Sequence, residues 1–115
     1  MTIRRLCREC GEGYQAERRS SEFCTDAHRK AFNNRRALRG AELYDLFMAS
    51  RFDRDKAKAE GAWSVMCRMA SHYHAEDATV RAGRPSWLSV ETIKARHQYL
   101  DSVVVNSNAA GMRRR

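Results

Sequence analysis

The chain has 115 residues, 31% charged and 43% hydrophobic, with 22 Lys/Arg against 14 Asp/Glu and a net charge of +8. That length suits one domain, and no apolar run reaches the ~20 residues of a membrane span. The basic start lacks a signal-like apolar stretch, so the expected address is cytoplasmic and the four cysteines read as metal ligands before disulfides.

Residues 1–24 are polar and turn-rich, with Gly11 and Gly13 directly behind the pair Cys7-x2-Cys10. The thirteen residues between Cys10 and Cys24, "GEGYQAERRSSEF", fit a β-hairpin that carries the chain back to that pair. Helical patterning then begins at Thr25 or Asp26, either of which can cap it, and passes through Phe32 and Leu38. Gly40 is expected to interrupt or kink this helix, because glycine costs roughly 1 kcal/mol against alanine there. Beyond it Leu43, Leu46 and Phe47 share a face. The charged run "RFDRDKAKAEG" reads as a loop or as a helix start capped by Asp53. Trp63, Met66, Cys67, Ala70, Tyr73 and His74 follow at steps of three and four, which predicts an amphipathic helix ending near Gly83, before the single proline at 85. A last helix starts at Ser89, with Glu91 in its first turn and Leu88 able to staple Ile93. Val90, Ile93, His97 and Leu100 are expected to face inward. The predicted core is Trp63, Trp87, Phe47, Met66, Leu88, Ile93 and Leu100.

Charge is unevenly placed. Residues 1–39 carry ten Lys/Arg and five Asp/Glu, residues 40–112 carry nine of each, and Arg113, Arg114 and Arg115 supply the rest. A positive front and tail with a neutral middle point to a polyanionic partner at the front.

Cys7 and Cys10 form a knuckle, two thiolates on a tight turn. Cys24 and His28 lie one helical turn apart, so both can reach one point. The pattern C-x2-C-x13-C-x3-H supplies the four ligands of a closed, structural zinc site. A redox pair fits less well, because such pairs open a helix in a strand–helix unit. Cys67, beside Trp63 and Met66, reads as a core residue, and His72, His74 and His97 have no partners at ligand spacing.

The stretches "C-x2-CG-x2-Y", "R-x2-S-x-FC" and "HRKAFNNRR" resemble the treble-clef and zinc-ribbon proteins of small bacterial and bacteriophage chains, over residues 5–40. That family's commoner form has cysteine as the fourth ligand, where this chain has His28. The resemblance implies one structural Zn2+ on a scaffold that contacts nucleic acid or protein. The expected fold is mostly α with a small N-terminal β-hairpin. A treble-clef-like zinc module over residues 1–40 would be followed by about three compactly bundled helices over 41–101 and a flexible basic tail over 102–115.

Past His28, Arg29, Asn33 and Arg36 share a helix face, Lys30 lies beside them, and Arg35 and Arg39 form an adjoining pair. Arg18 and Arg19 on the hairpin, with Arg4 and Arg5, can extend the surface. Arg and Lys suit phosphates, and Asn and Arg also suit base edges. The plainer alternative is a solvated face in which Arg35 or Arg39 pairs with Glu42 or another acid of the fold. The expected function is nucleic-acid binding, DNA or RNA, with a regulatory role among the options. The alternative is a protein-binding adaptor or inhibitor of cellular machinery, anchored by Trp63, Trp87 and Tyr99. A homodimer through an uncovered apolar face is open to either. No enzyme is expected, since the hairpin has no histidine and a closed zinc site offers no open position.

Overall fold

A computed structural model of the protein describes residues 2–97. Strand β1, Ile3–Leu6, pairs antiparallel with β2, Gly13–Ala16, in the register Ile3↔Ala16 through Leu6↔Gly13. Helices α1 (Asp26–Phe52), α2 (Arg54–Glu60), α3 (Ala62–Val80) and α4 (Val90–Arg96) follow. The protein is therefore mostly α with a small N-terminal β-hairpin, as its sequence predicts.

The hairpin is not the expected one. Its first strand precedes the cysteine knuckle, so Cys7–Glu12 forms the hairpin's own loop. Cys7 N–H donates to Glu12 O at 2.8 Å, which prolongs the ladder, and Gly11 N–H donates to Cys7 O at 2.9 Å. Gly11 sits at φ +79°, a left-handed turn position that favours glycine. The polar run "ERRSSEF" has no apolar alternation to form a second strand. It returns as irregular chain, held where Arg8 N–H donates to Glu22 O at 2.9 Å.

Helix α1 begins as predicted. The Thr25 hydroxyl accepts from His28 N–H at 3.1 Å and satisfies one free donor of the first turn. Gly40 does not break it. Twenty-seven residues run as one helix about 40 Å long, because α2 and α3 pack along it and outweigh a cost of ~1 kcal/mol. The charged run after Phe52 contains α2. Asp53 occupies its N-cap position but makes no side-chain capping bond. Gly61, at φ +70°, ends α2 and opens α3. Ser89 caps α4 by accepting from Thr92 N–H at 3.1 Å. α4 ends at Arg96 with His97 as its C-cap, short of the expected run to Leu100, and Leu100, Tyr99 as an anchor and the tail at 102–115 lie outside the described residues.

The predicted aromatic core is overturned. Trp63, Trp87 and Phe47 are 70%, 66% and 55% exposed, Val90 is exposed, and Cys67 is also exposed. Of the predicted set Met66 is buried, while Leu88, Ile93 and His97 are half-buried. The face of α3 that turns inward carries Ala62, Met66, Met69, Tyr73 and Asp77. It is rotated roughly 70° from the face that hydropathy selects, at 100° per residue. The reason is polar. Asp77, Arg81 and Ser86 are each about 95% buried, and charged groups enter an interior only when partnered. Their partners lie on α1 and the knuckle, so the helix turns that way and leaves its tryptophan outside.

Phe32 is the apolar hub, 2% exposed. Its ring packs against Phe23, tilted by 54° at 5.3 Å between centroids, and the guanidinium carbons of Arg35, Arg36 and Arg81 lie 5.6–5.8 Å from its centre. A ring capped by cations on its faces gains quadrupole attraction in addition to its burial.

Candidate metal centre

The hairpin loop supplies Cys7 and Cys10, and the chain entering α1 supplies Cys24 and His28. One ligand atom from each of these four residues lies within 4.8 Å of the other three, and this is the sole such cluster among the described residues. Cys10 Sγ is 3.7 Å from Cys24 Sγ, and His28 Nδ1 is 3.7 Å from Cys7 Sγ and 3.1 Å from Cys24 Sγ. A tetrahedron with metal–sulfur bonds of about 2.3 Å places its sulfurs roughly 3.8 Å apart, so the cage has the size of one ion. Three sulfurs and one imidazole form a closed donor set, with no water position required.

Local structure aims each ligand. The two backbone bonds of the hairpin loop turn Cys7 and Cys10 toward one point, and Cys7 is 2% exposed. The Thr25 cap sets the first turn of α1, so that His28 reaches back over Cys24. Negative sulfur at a helix N-terminus is also favoured by the helix dipole.

The thiols respond differently to this crowding. Burial pushes the Cys7 thiol up, but backbone groups of Cys10, Cys24 and Glu9 and the His28 side chain outweigh it, and its pKa falls to about 6. Cys24 rises to about 11 through desolvation and through the neighbouring sulfurs of Cys7 and Cys10. Three sulfurs this close cannot all carry charge on their own. A divalent cation held by Cys7, Cys10, Cys24 and His28 would remove that conflict by binding the sulfurs as thiolates.

Behind the knuckle lies a network that motif reading missed. The Glu9 carboxylate accepts from Arg35 at 2.6 and 2.7 Å and from Arg81 at 2.7 Å. Arg81 also donates to the carbonyls of Arg8, Glu9, Arg84 and Pro85, and Arg84 donates to Glu9 O at 3.1 Å. Asp77 accepts from Arg39 at 3.0 and 3.2 Å, from Ser86 N–H at 3.1 Å and from Ser86 Oγ at 3.2 Å. Burial pulls the Arg81 guanidinium down from its usual range, and nearby Arg35 adds to that, so the cation depends on Glu9 and Asp77. The α3–α4 loop thus clamps the carbonyls of the knuckle. No sequence spacing announces this, since Glu9 and Arg81 are 72 positions apart.

The basic residues separate into two groups. Arg35 and Arg39 are engaged within the fold as above, and Arg36 donates to Ser86 O at 2.9 Å. Arg39 also donates to Glu76 and lies 4.8 Å from the centre of the Tyr73 ring, whose hydroxyl donates to Glu42. Their side chains face inward, whereas a ligand-binding face would point outward. Arg29 and Lys30 share one exposed acid, Asp26, at 2.6 and 3.5 Å. Arg18, Arg29 and Asn33 line an open groove of about 650 Å³ between the return segment and α1, together with Glu17, Glu22, Asp26 and Arg96. Arg18 and Arg19 are exposed, and among the described residues Arg4, Arg5, Arg18 and Arg19 pair with no carboxylate.

Among the described residues no helix is long and apolar enough to cross a membrane. Comparison with protein-family models, with curated proteins and with solved structures finds no match.

Proposed function

We propose that Cys7, Cys10, Cys24 and His28 hold one structural zinc ion in a treble-clef-like module, and that this module presents arginines to a nucleic-acid backbone. The observation that carries the proposal is the set of four cations, Arg4, Arg5, Arg18 and Arg19, that the hairpin and its return segment leave without an acid. Arg29, Lys30 and Asn33 adjoin them at the start of α1. Arg35, Arg36 and Arg39 are assigned to the scaffold, where they hold the helix against the knuckle and the α3–α4 loop.

Zinc follows from the donor set: thiolates select a borderline-soft ion, and three sulfurs with one imidazole suit a tetrahedral, redox-inert one. Its role is to tie hairpin to helix in a module too small to bury much apolar surface. A closed site offers no open coordination position, so no catalysis is assigned to it.

The test is duplex and single-strand binding by fluorescence anisotropy between ~50 and 200 mM salt. Neutralising four phosphates predicts a log–log salt slope of about −3 to −4 on duplex. Replacing Arg18 and Arg19 with glutamine should weaken binding and reduce that slope by about two. A zinc-loaded protein that binds neither strand form with salt sensitivity overturns the nucleic-acid part and leaves the zinc part intact. The exposure of Trp63 and Trp87 favours a second reading, a protein partner, which a partner surviving nuclease treatment would support.

A further inference from the structure

We infer that the outer face of α1 is a self-association surface, on which a second copy of this chain lies antiparallel. The face carries Ala37, Gly40, Ala41, Tyr44, Phe47 and Met48, and every one of them is exposed. At 100° per residue they fall within roughly 120° of arc on the side away from α3. A strictly solvated helix face would be polar. Here it is polar only at its ends, with Lys30, Asn33 and Asn34 before the stripe and Arg51 after it.

Side-chain size chooses the partner and its direction. The N-terminal half of the stripe is small, and a Cβ added at Gly40 would meet nothing within 4 Å. The C-terminal half is large, with Tyr44 63%, Phe47 55% and Met48 37% exposed. A second α1 running the opposite way about a two-fold axis between residues 42 and 43 sets Ala37 against Met48 and Ala41 against Tyr44. Phe47 then lies over the gap at Gly40. Positions 37, 41, 44 and 48 step by four, three and four, the alternation of a two-helix seam. A parallel copy would instead place large against large and small against small, leaving voids at one end and clashes at the other.

The area is adequate for a reversible dimer. Aromatic side chains cover about 150–250 Å² each, so the uncovered parts of Tyr44, Phe47 and Met48 with the three small positions give roughly 400–500 Å² per copy. Two copies reach about 800–1,000 Å², short of the roughly 1,200–2,000 Å² of stable interfaces and within the range of weak, transient ones, so the association is expected to be reversible. The two-fold axis sends the metal centres to opposite ends, about 45 Å apart at 1.5 Å per residue. The pairing does not depend on what the hairpin arginines bind.

Sedimentation equilibrium of the full, zinc-loaded chain between about 5 and 200 µM tests this. The expected result is a monomer–dimer equilibrium within that range. The double variant Tyr44→Glu, Phe47→Glu changes only exposed side chains, so it should keep its helical circular dichroism at low concentration while dimerisation weakens at least ~30-fold. Direction is read by mild oxidation in a Cys67→Ser background. Chains with Ala37→Cys mixed with chains with Met48→Cys should cross-link to each other in preference to themselves. A full chain that stays monomeric at 200 µM overturns the inference, whether the stripe is bare or covered by residues 98–115. So does a dimer unaffected by the double glutamate variant, or preferential self-cross-linking of the Ala37→Cys chains.

Discussion

Replacing Glu9 with glutamine tests whether the knuckle is held from behind as well as by the proposed zinc. The Glu9 carboxylate is 17% exposed and lies between Arg35, 22% exposed, and Arg81, 4% exposed. Glutamine keeps the shape and one acceptor but removes the charge that balances two cations. Breaking a buried pair by removing one partner costs ~3–5 kcal/mol, and charge-assisted bonds are worth about 1.5–3 kcal/mol each. Arg81 keeps four carbonyl acceptors, and Arg35 keeps Ser86 Oγ at 3.1 Å, which lowers the expected loss to about 2–3 kcal/mol. With a urea m-value near ~1.5 kcal/mol/M, the unfolding midpoint should fall by about 1.3–2 M at saturating zinc. Lys30→Met, on an exposed pair, should stay within about 0.5 kcal/mol. A double-mutant cycle of Glu9→Gln with Arg81→Met should show a coupling of at least ~1 kcal/mol. A Glu9→Gln midpoint within ~0.3 M of the parent, or strictly additive single effects, would refute the clamp.

Metal removal should change thiol reactivity in a countable way. The zinc-loaded protein is expected to offer one fast-reacting thiol, the exposed Cys67, and four after chelation, with loss of hairpin structure in the amide spectrum. His28→Cys should retain zinc, whereas His28→Ala should lose it by competition with a colorimetric chelator. Two glycines should respond with opposite signs in thermal melts at a few micromolar. Gly40→Ala, helical and in open space, should stabilise by up to about 1 kcal/mol, and Gly61→Ala, at φ +70°, should destabilise by about 1–2 kcal/mol. Acid dependence follows from Asp77. Burial pushes its carboxyl up, but Arg39 and the Ser86 bonds outweigh this and hold it below the ordinary 3.8. Its contribution is complete above the unfolded value and is lost as pH falls through the depressed one. The stability gap between parent and Asp77→Asn should therefore be constant down to about pH 4 and close below it. A gap unchanged at pH 2.5 would contradict the ion-pair assignment.

What the sequence alone determined about this protein is local. Cys7 with Cys10, Thr25 with His28, and Ser89 with Thr92 lie within four residues of one another, so turn and helix geometry place them together whatever the rest of the chain does. The starts of α1 and α4 and the α-rich class were legible for that reason, whereas the meeting of Cys7 and Cys10 with Cys24 and His28, 14 to 21 positions away, was legible from the spacing of metal-binding residue types. The hairpin was legible as an element but not in its pairing, since the run after the knuckle looked as able to reverse as the strand before it. Tertiary structure alone decided which arginines face outward and which face of α3 is buried. Those choices rest on bonds between residues 26 to 75 positions apart, such as Arg35 with Glu9, Arg39 with Asp77 and Arg84 with Glu9, where no periodic signal exists. Hydropathy predicts tryptophans inside and charges outside. Paired charges at the centre of a small protein reverse that order, because an ion once buried must be answered and an aromatic ring left outside carries no such demand.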